Sequence, residues 1–432
     1  MVTERSVGSL LAAVLLAMAC AVDGSLRWCV GLPLVLAALV TAARALGRGT
    51  GGHRALPSWM WTLLAAVAAL GVVSPSTGGP SWFEWLRRAF GVCGVWCVGL
   101  ASGPSEKGRH LGIRVAIGSA TLLALLTPWA IPNPQIDVVA WTNTALRALL
   151  SGVHPYTVMA PDVYRGTRDF GFVVVVYPYM PATLLALAPF EWLFHEYRYA
   201  LAVCLPLTVW LLRRIGRRQR ASTGVIDFAT LLLVLHPANA MMVRSGWGEP
   251  LLAAVALGAA LAAVADATLP ATIGLLLLPA FKQYVLPPPF LWFAGPGRRV
   301  SWRSWGVAAA VACATVAPCL VWNSRATLDG ILFQVRAPAH ARLTSLSLPG
   351  LLENLGVWNL PMWVSVATQA VVSIAIAWGG VAADVPGLFL GSSVALLATF
   401  AVGWQGFVNY YVFIGTLLII AAVADRAEGV RT

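Results

Sequence analysis

A few ionisable side chains stand in otherwise apolar sequence, and they define the chemistry open to this chain. Asp137 lies in Pro134-Gln135-Ile136-Asp137-Val138, just after an apolar run and before a polar stretch. A carboxylate there can take a proton from an acceptor hydroxyl if neighbours orient it and shield it from water. It can equally open a helix from Val138 to Leu150 as a cap, and the two roles are compatible. Lys282, one of two lysines in the chain, lies in Phe281-Lys282-Gln283-Tyr284, between Leu275–Leu278 and Pro287-Pro288-Pro289. The triple proline ends a helix just beyond it. That leaves room for a polar cavity in which a compact ammonium neutralises a phosphate leaving group. A buried ion pair with Glu249 or Asp137 is the plainer reading. Glu249, in Gly246-Trp247-Gly248-Glu249-Pro250, is then a second acid or the partner of Lys282.

Two further segments carry polar side chains in usable patterns. Arg336-Ala337-Pro338-Ala339-His340-Ala341-Arg342 brings two arginines and a histidine together. They can chelate a phosphate through charge-assisted hydrogen bonds, or rest on lipid head groups. Trp404-Gln405-Gly406-Phe407-Val408-Asn409-Tyr410-Tyr411 reads as an interfacial aromatic belt, with stacking on a sugar ring as the alternative. Asp162, Tyr164, Arg165, Arg168 and Asp169 read as a solvated loop. The seven cysteines have no metal-ligand spacing and no Asp-x-Asp pair is present. No metal and no cofactor is expected.

The elements that must position these residues are membrane helices. The chain is 59% hydrophobic and 11% charged, against roughly 25% charged in soluble domains, and its mean hydropathy is +0.77. A soluble protein is excluded. Apolar stretches long enough to cross a bilayer recur throughout, predicting an all-α, polytopic transmembrane protein with about 12–15 crossings. The net charge of +12 comes from arginines between apolar segments, at Arg44–Arg54, Arg109–Arg114, Arg213–Arg220 and Arg298–Arg303. These mark cytoplasmic loops in contact with anionic lipid, not a nucleic-acid surface. Arg5 precedes an apolar run without a cleavage motif, which reads as a retained first helix.

Counting from that end divides the chain into N-terminal transmembrane hairpins (1–110) and a second module (111–432) with external loops at 131–171 and 323–359. A helix near 304–322 is expected to end at Asn323. Ser345–Gly350 reads as a short amphipathic turn or helix. A complete crossing at 172–194 would carry Arg213–Arg220 to the wrong side. Pro178, Pro181 and Pro189 break that segment, so it reads as re-entrant or partly crossing, unless one of the weaker early spans is miscounted.

In order and spacing, these features resemble the C-type glycosyltransferase superfamily, and within it the bacterial polyprenyl-phosphate-mannose-dependent mannosyltransferases. The resemblance covers roughly residues 112–424. It rests on Asp137 opening the first external loop, then Gly152-Val153-His154-Pro155-Tyr156 and Tyr177-Pro178-Tyr179-Met180-Pro181. Gly246-Trp247-Gly248-Glu249 and Lys282-Gln283-Tyr284-Val285-Leu286-Pro287 continue it. Two departures stand out: the second proline of the Tyr-Pro-Pro element is displaced to Pro181, and Trp247-Gly248-Glu249 replaces the usual Gln.

The resemblance implies a multi-pass enzyme of the cell membrane with its active site on the external face. It would transfer a sugar, mannose in the relatives, from a polyprenyl-phosphate donor to a lipid-linked or glycan acceptor, with inversion. Asp137 is then the base. Lys282, Arg336, His340 and Arg342 face the donor phosphate, and His154, Tyr156, Tyr177, Tyr179, Glu249, Gln283, Tyr284, Asn409 and Tyr410 line the substrate. A transporter or flippase for a lipid-linked saccharide shares the hydrophobicity and the intramembrane lysine. A transporter favours paired inverted repeats, and no internal repeat is visible. A scaffold partner that keeps the fold without turnover is the third reading.

Overall fold

The computed structural model describes residues 3–21, 30–47, 56–74, 78–163, 176–332, 345–357 and 360–426. Among them every regular element is helical, and there are eighteen α-helices. The first six are α1 (Glu4–Cys20), α2 (Leu32–Gly47), α3 (Ser58–Val73), α4 (Ser81–Ser102), α5 (Glu106–Ala130) and α6 (Asp137–Leu150). Then follow α7 (Pro181–Phe194), α8 (Arg198–Arg218), α9 (Thr223–Val234), α10 (Asn239–Arg244), α11 (Glu249–Val264) and α12 (Thr268–Phe281). The last six are α13 (Pro287–Ala294), α14 (Trp302–Ile331), α15 (Leu348–Asn354), α16 (Met362–Trp378), α17 (Val385–Ala401) and α18 (Val408–Ala424). Of the described helices, α5, α8 and α14 are by themselves long and apolar enough to cross a membrane. Shorter apolar helices pack around them.

Side-chain bonds between helix termini define two ends of the bundle. At one end Arg218 Nε donates to the Val264 carbonyl (3.1 Å), joining the last turns of α8 and α11. Arg426 Nε reaches Gln219 Oε1 (2.8 Å), and Arg5 pairs with Asp384 (2.9 Å). Thr3 and Ser6 donate to Asp425, so the start of α1 is pinned to the end of α18. This end carries the arginine-rich segment 213–220.

At the opposite end Arg198 Nη1 donates to the carbonyls of Ile131 (2.9 Å) and Arg244 (3.3 Å). There the last turn of α5, the start of α8 and the approach to α11 converge. Thr183 Oγ1 donates to the Phe281 carbonyl (2.9 Å), so α7 begins beside the end of α12. It finishes four residues before Arg198. Both ends of α7 therefore lie at the same end of the bundle, and its 14 residues, about 21 Å, run across it. The conflict over Arg213–Arg220 disappears because this segment does not add a crossing. Pro181 occupies the first turn of α7, where its missing N–H costs nothing. Only Pro189 lies inside the helix.

The expected loop from Asn323 is corrected. The helix does end there, with non-helical φ −156° and ψ 92° at Asn323, but a second helical segment follows at once and runs to Ile331, so α14 is two segments joined by a sharp bend. Asn323 Oδ1 accepts from the Ala326 N–H (3.0 Å), which is how a side chain caps a new helical segment. Asn323 both stops the first segment and caps the second. Ser347 caps α15 by accepting from the Gly350 N–H (3.3 Å), in keeping with the short helix expected there.

The N-terminal helices divide between two neighbours. The first two pack on each other, α1 also on α18 and α2 on α17, while α3 and α4 lie against each other and α4 against α5. One apolar core runs through Leu10, Val35, Leu212, Leu257, Leu396 and Ile420.

Candidate functional site

Lys282 sits where helical structure is interrupted. The last residue of α12 is Phe281, Lys282 itself is extended (φ −144°, ψ 121°), and helix resumes only at Pro287. The break has a local cause: three consecutive prolines cannot donate to a preceding turn. The ammonium is buried, 3% exposed, and a charge so placed needs a partner. Its Nζ donates to Glu249 Oε1 at 2.5 Å. The same oxygen accepts from Tyr284 Oη (3.2 Å) and Asn409 Nδ2 (2.8 Å). Glu249 is in the first turn of α11 and Asn409 in the first turn of α18, so three helix termini meet on one carboxylate oxygen.

Aromatic rings enclose the pair. Lys282 Nζ is 4.6 Å from the Tyr179 ring centre and 5.6 Å from that of Tyr410, within the range of cation–π attraction. Tyr410 stacks on Phe400 (4.5 Å, 8°) and meets Tyr284 edge-on (4.9 Å). The other carboxylate oxygen, Glu249 Oε2, and Asn409 Oδ1 are buried without a hydrogen-bond partner. Gln283 is half-buried beside them.

A tyrosine row links this cluster to the segment after α6. Tyr177 lies 5.6 Å from both the Tyr156 and Tyr179 rings, and Tyr156 Oη donates to the Tyr179 carbonyl (2.5 Å). Burial pushes the Tyr156 and Tyr177 hydroxyls well above the usual phenol range. A Cβ at residue 330 would fall 2.4 Å from Tyr156 Cδ1, so Gly330 is what lets that ring lie on α14. His154 is an anchor. Its Nε2 lies 3.1 Å from the Cys319 carbonyl and 3.2 Å from Thr327 Oγ1, across the bend of α14.

Asp137 is the first residue of α6 and is buried, 6% exposed. Its Oδ1 accepts the Val138 N–H (2.8 Å), and its charge suits the helix N-terminus. Arg198 holds the chain leading to it by bonding the carbonyls of Pro128, Ile131 and Pro132. The start of α6 also touches the turn that carries Glu249. Gly246 has φ +65°, and a Cβ there would lie 3.0 Å from Val139 Cγ2 and 1.9 Å from Tyr197 Oη. Only glycine fits.

The structure thus brings Lys282, Glu249, Tyr284, Asn409, Tyr410 and Tyr179 into one cluster, and joins Tyr177, Tyr156 and His154 to it in sequence. Arg336, His340 and Arg342 lie outside the described residues, as do Tyr164, Arg165, Arg168 and Asp169. Sequence reasoning missed Arg198, fully buried, and Asp227, buried inside α9 and paired with Arg213 (3.0 Å). The signal that exposes Lys282, an ionisable group in apolar sequence, was also present at Asp227. No family model, curated protein or solved structure matches this chain.

Proposed function

We propose that this chain is a multi-pass glycosyltransferase of the cell membrane, using a polyprenyl-phosphate sugar as donor and a lipid-linked or glycan acceptor. The observation that carries the reading is the buried carboxylate of Asp137 at the same end of the bundle as the charged, aromatic-lined Lys282 cluster. Depth supports it. The 16 residues of α11 and 14 of α12 reach the cluster after about 24 and 21 Å from the arginine-rich end. A hydrocarbon core is about 30 Å thick, and the stretch of α14 before its break at Asn323, residues 302–322, rises about 31 Å. In a bilayer with the arginines inside, the cluster is recessed below the external rim, beside the acyl region where a polyprenyl tail lies.

The transfer would proceed by inversion. Asp137 takes the proton of the acceptor hydroxyl as its oxygen bonds to the anomeric carbon. The bond from that carbon to the phosphate oxygen breaks, and polyprenyl phosphate leaves with the electron pair. Lys282 gives one of its three N–H donors to Glu249 and keeps two for an anion. Arg336, His340 and Arg342 are the further groups proposed for the phosphate. A transporter or flippase is the second reading, favoured by the interruption of α12 and α13 around a buried ion pair.

The two readings part at Asp137→Asn. Transfer of labelled mannose from polyprenyl-phosphate mannose to envelope lipids is measured at matched expression. A base-dependent transferase loses about 10²–10⁴-fold in rate. Equal rates in both proteins would remove Asp137 from the mechanism.

A further inference from the structure

The buried carboxylate of Glu249 is used on one side only. Oε1 accepts from Lys282, Tyr284 and Asn409, while Oε2 accepts from nothing. Asn409 is likewise half used. Its Nδ2 donates to Glu249, which fixes the amide orientation and leaves Oδ1 unpartnered. Both residues are at least nine-tenths buried, and an unsatisfied acceptor in such a place is costly. Two acceptors that belong to one hydrogen-bonded unit define what is missing: a ligand with donors.

The surroundings narrow its chemistry. An anion is repelled by two acceptor oxygens. A cation is opposed by the Lys282 ammonium, already 2.5 Å from the same carboxylate. A neutral group with hydroxyl donors is left, and the half-buried ring of Tyr179 beside the cluster suits the apolar C–H face of a sugar. Tyr179, Gln283 and Tyr284 are only half-buried. We infer that Glu249 Oε2 and Asn409 Oδ1 bind hydroxyl groups of the donor's sugar ring. These two oxygens then read which sugar is transferred, beside the Lys282 ammonium proposed for its phosphate. This inference rests on the glycosyltransferase reading and deepens it.

The test is equilibrium binding to the purified full chain in nanodiscs, without turnover. The probes are a short-chain polyprenyl-phosphate mannose, its singly deoxygenated analogues, and polyprenyl phosphate alone. At least one deoxygenated analogue is expected to bind wild type about 10–100-fold more weakly, the range for a hydrogen bond to a charged group. In Glu249→Gln, whose amide oxygen still accepts from Lys282 while an NH2 replaces Oε2, that penalty should vanish, as it should in Asn409→Leu. Polyprenyl phosphate alone should still bind both variants, which also shows that they are folded. Indifference of wild type to every hydroxyl, or a penalty that survives in both variants, overturns the inference and leaves the transferase reading standing. Failure of every polyprenyl-phosphate sugar to bind wild type ends both.

Discussion

Two buried ion pairs stand at the same end of this bundle and differ in how completely they are used. Arg198 is fully buried and spends its guanidinium on Glu196 and on the carbonyls of Pro128, Ile131, Pro132 and Arg244. Its nitrogens all have partners, and most of those partners are backbone, so the group ties chain segments together and offers nothing to a ligand. Lys282 and Glu249 are equally buried, yet the carboxylate's partners are side chains from separate elements and two acceptors remain open. Saturation by backbone marks a fastening; an incomplete shell marks a place for something else. Burial alone does not distinguish them.

Breaking the first pair should give the largest change in stability. Arg198→Met leaves Glu196 with only the backbone N–H of residue 198 and removes the guanidinium from several carbonyls, and is expected to cost about 3–5 kcal/mol. Thermal unfolding in detergent measures this, and a variant as stable as wild type would dissolve the contrast. Lys282→Met alone should cost a comparable amount or slightly less, because Glu249 loses its counter-charge. Adding Glu249→Gln should recover most of that loss, since exchanging both members of a buried pair is often neutral. A double variant no more stable than the single one would make this pair a fastening too.

A smaller effect is expected at the bend of α14. Thr327 Oγ1 contacts the carbonyls of Cys319 (2.9 Å) and Asn323 (2.8 Å) and meets His154. Thr327→Val should cost about 1–3 kcal/mol and loosen the 151–163 segment, seen as faster hydrogen exchange there. The smallest effect belongs to His236, in the connection between α9 and α10. Its Nδ1 accepts the Ala238 N–H (3.2 Å). His236→Asn keeps an acceptor there and should leave the melting temperature close to wild type, whereas His236→Leu should cost about 1 kcal/mol.

Much of the cluster was legible because an ionisable residue in apolar sequence demands a reason. That rule singles out Lys282 and Glu249. It left the partner of Lys282 open between Glu249 and Asp137, and the meeting of the α11 and α12 termini selects Glu249. Arg198 went unnoticed because, read along the chain, it is an ordinary basic residue before an apolar helix. At Asn323 the local signal does end one helical segment, but the second segment that its side chain caps was not foreseen. The prolines of 176–189 indicated an irregular element, but its path across one end of the bundle depends on Thr183 and Arg198 finding partners far away in sequence.

Composition and the lengths of the apolar runs determined by themselves that the chain is helical and that its few charged residues would be conspicuous. Backbone groups in an apolar medium must be satisfied within their own segment, and the helix achieves this with local bonds alone. Which charges meet was decided only by tertiary packing. Glu249 is 33 residues from Lys282 and 160 from Asn409, and no local pattern encodes contacts over such separations. They form because burying the apolar faces of α11, α12 and α18 brings those three termini together, and the polar groups caught there must satisfy one another or wait for a ligand.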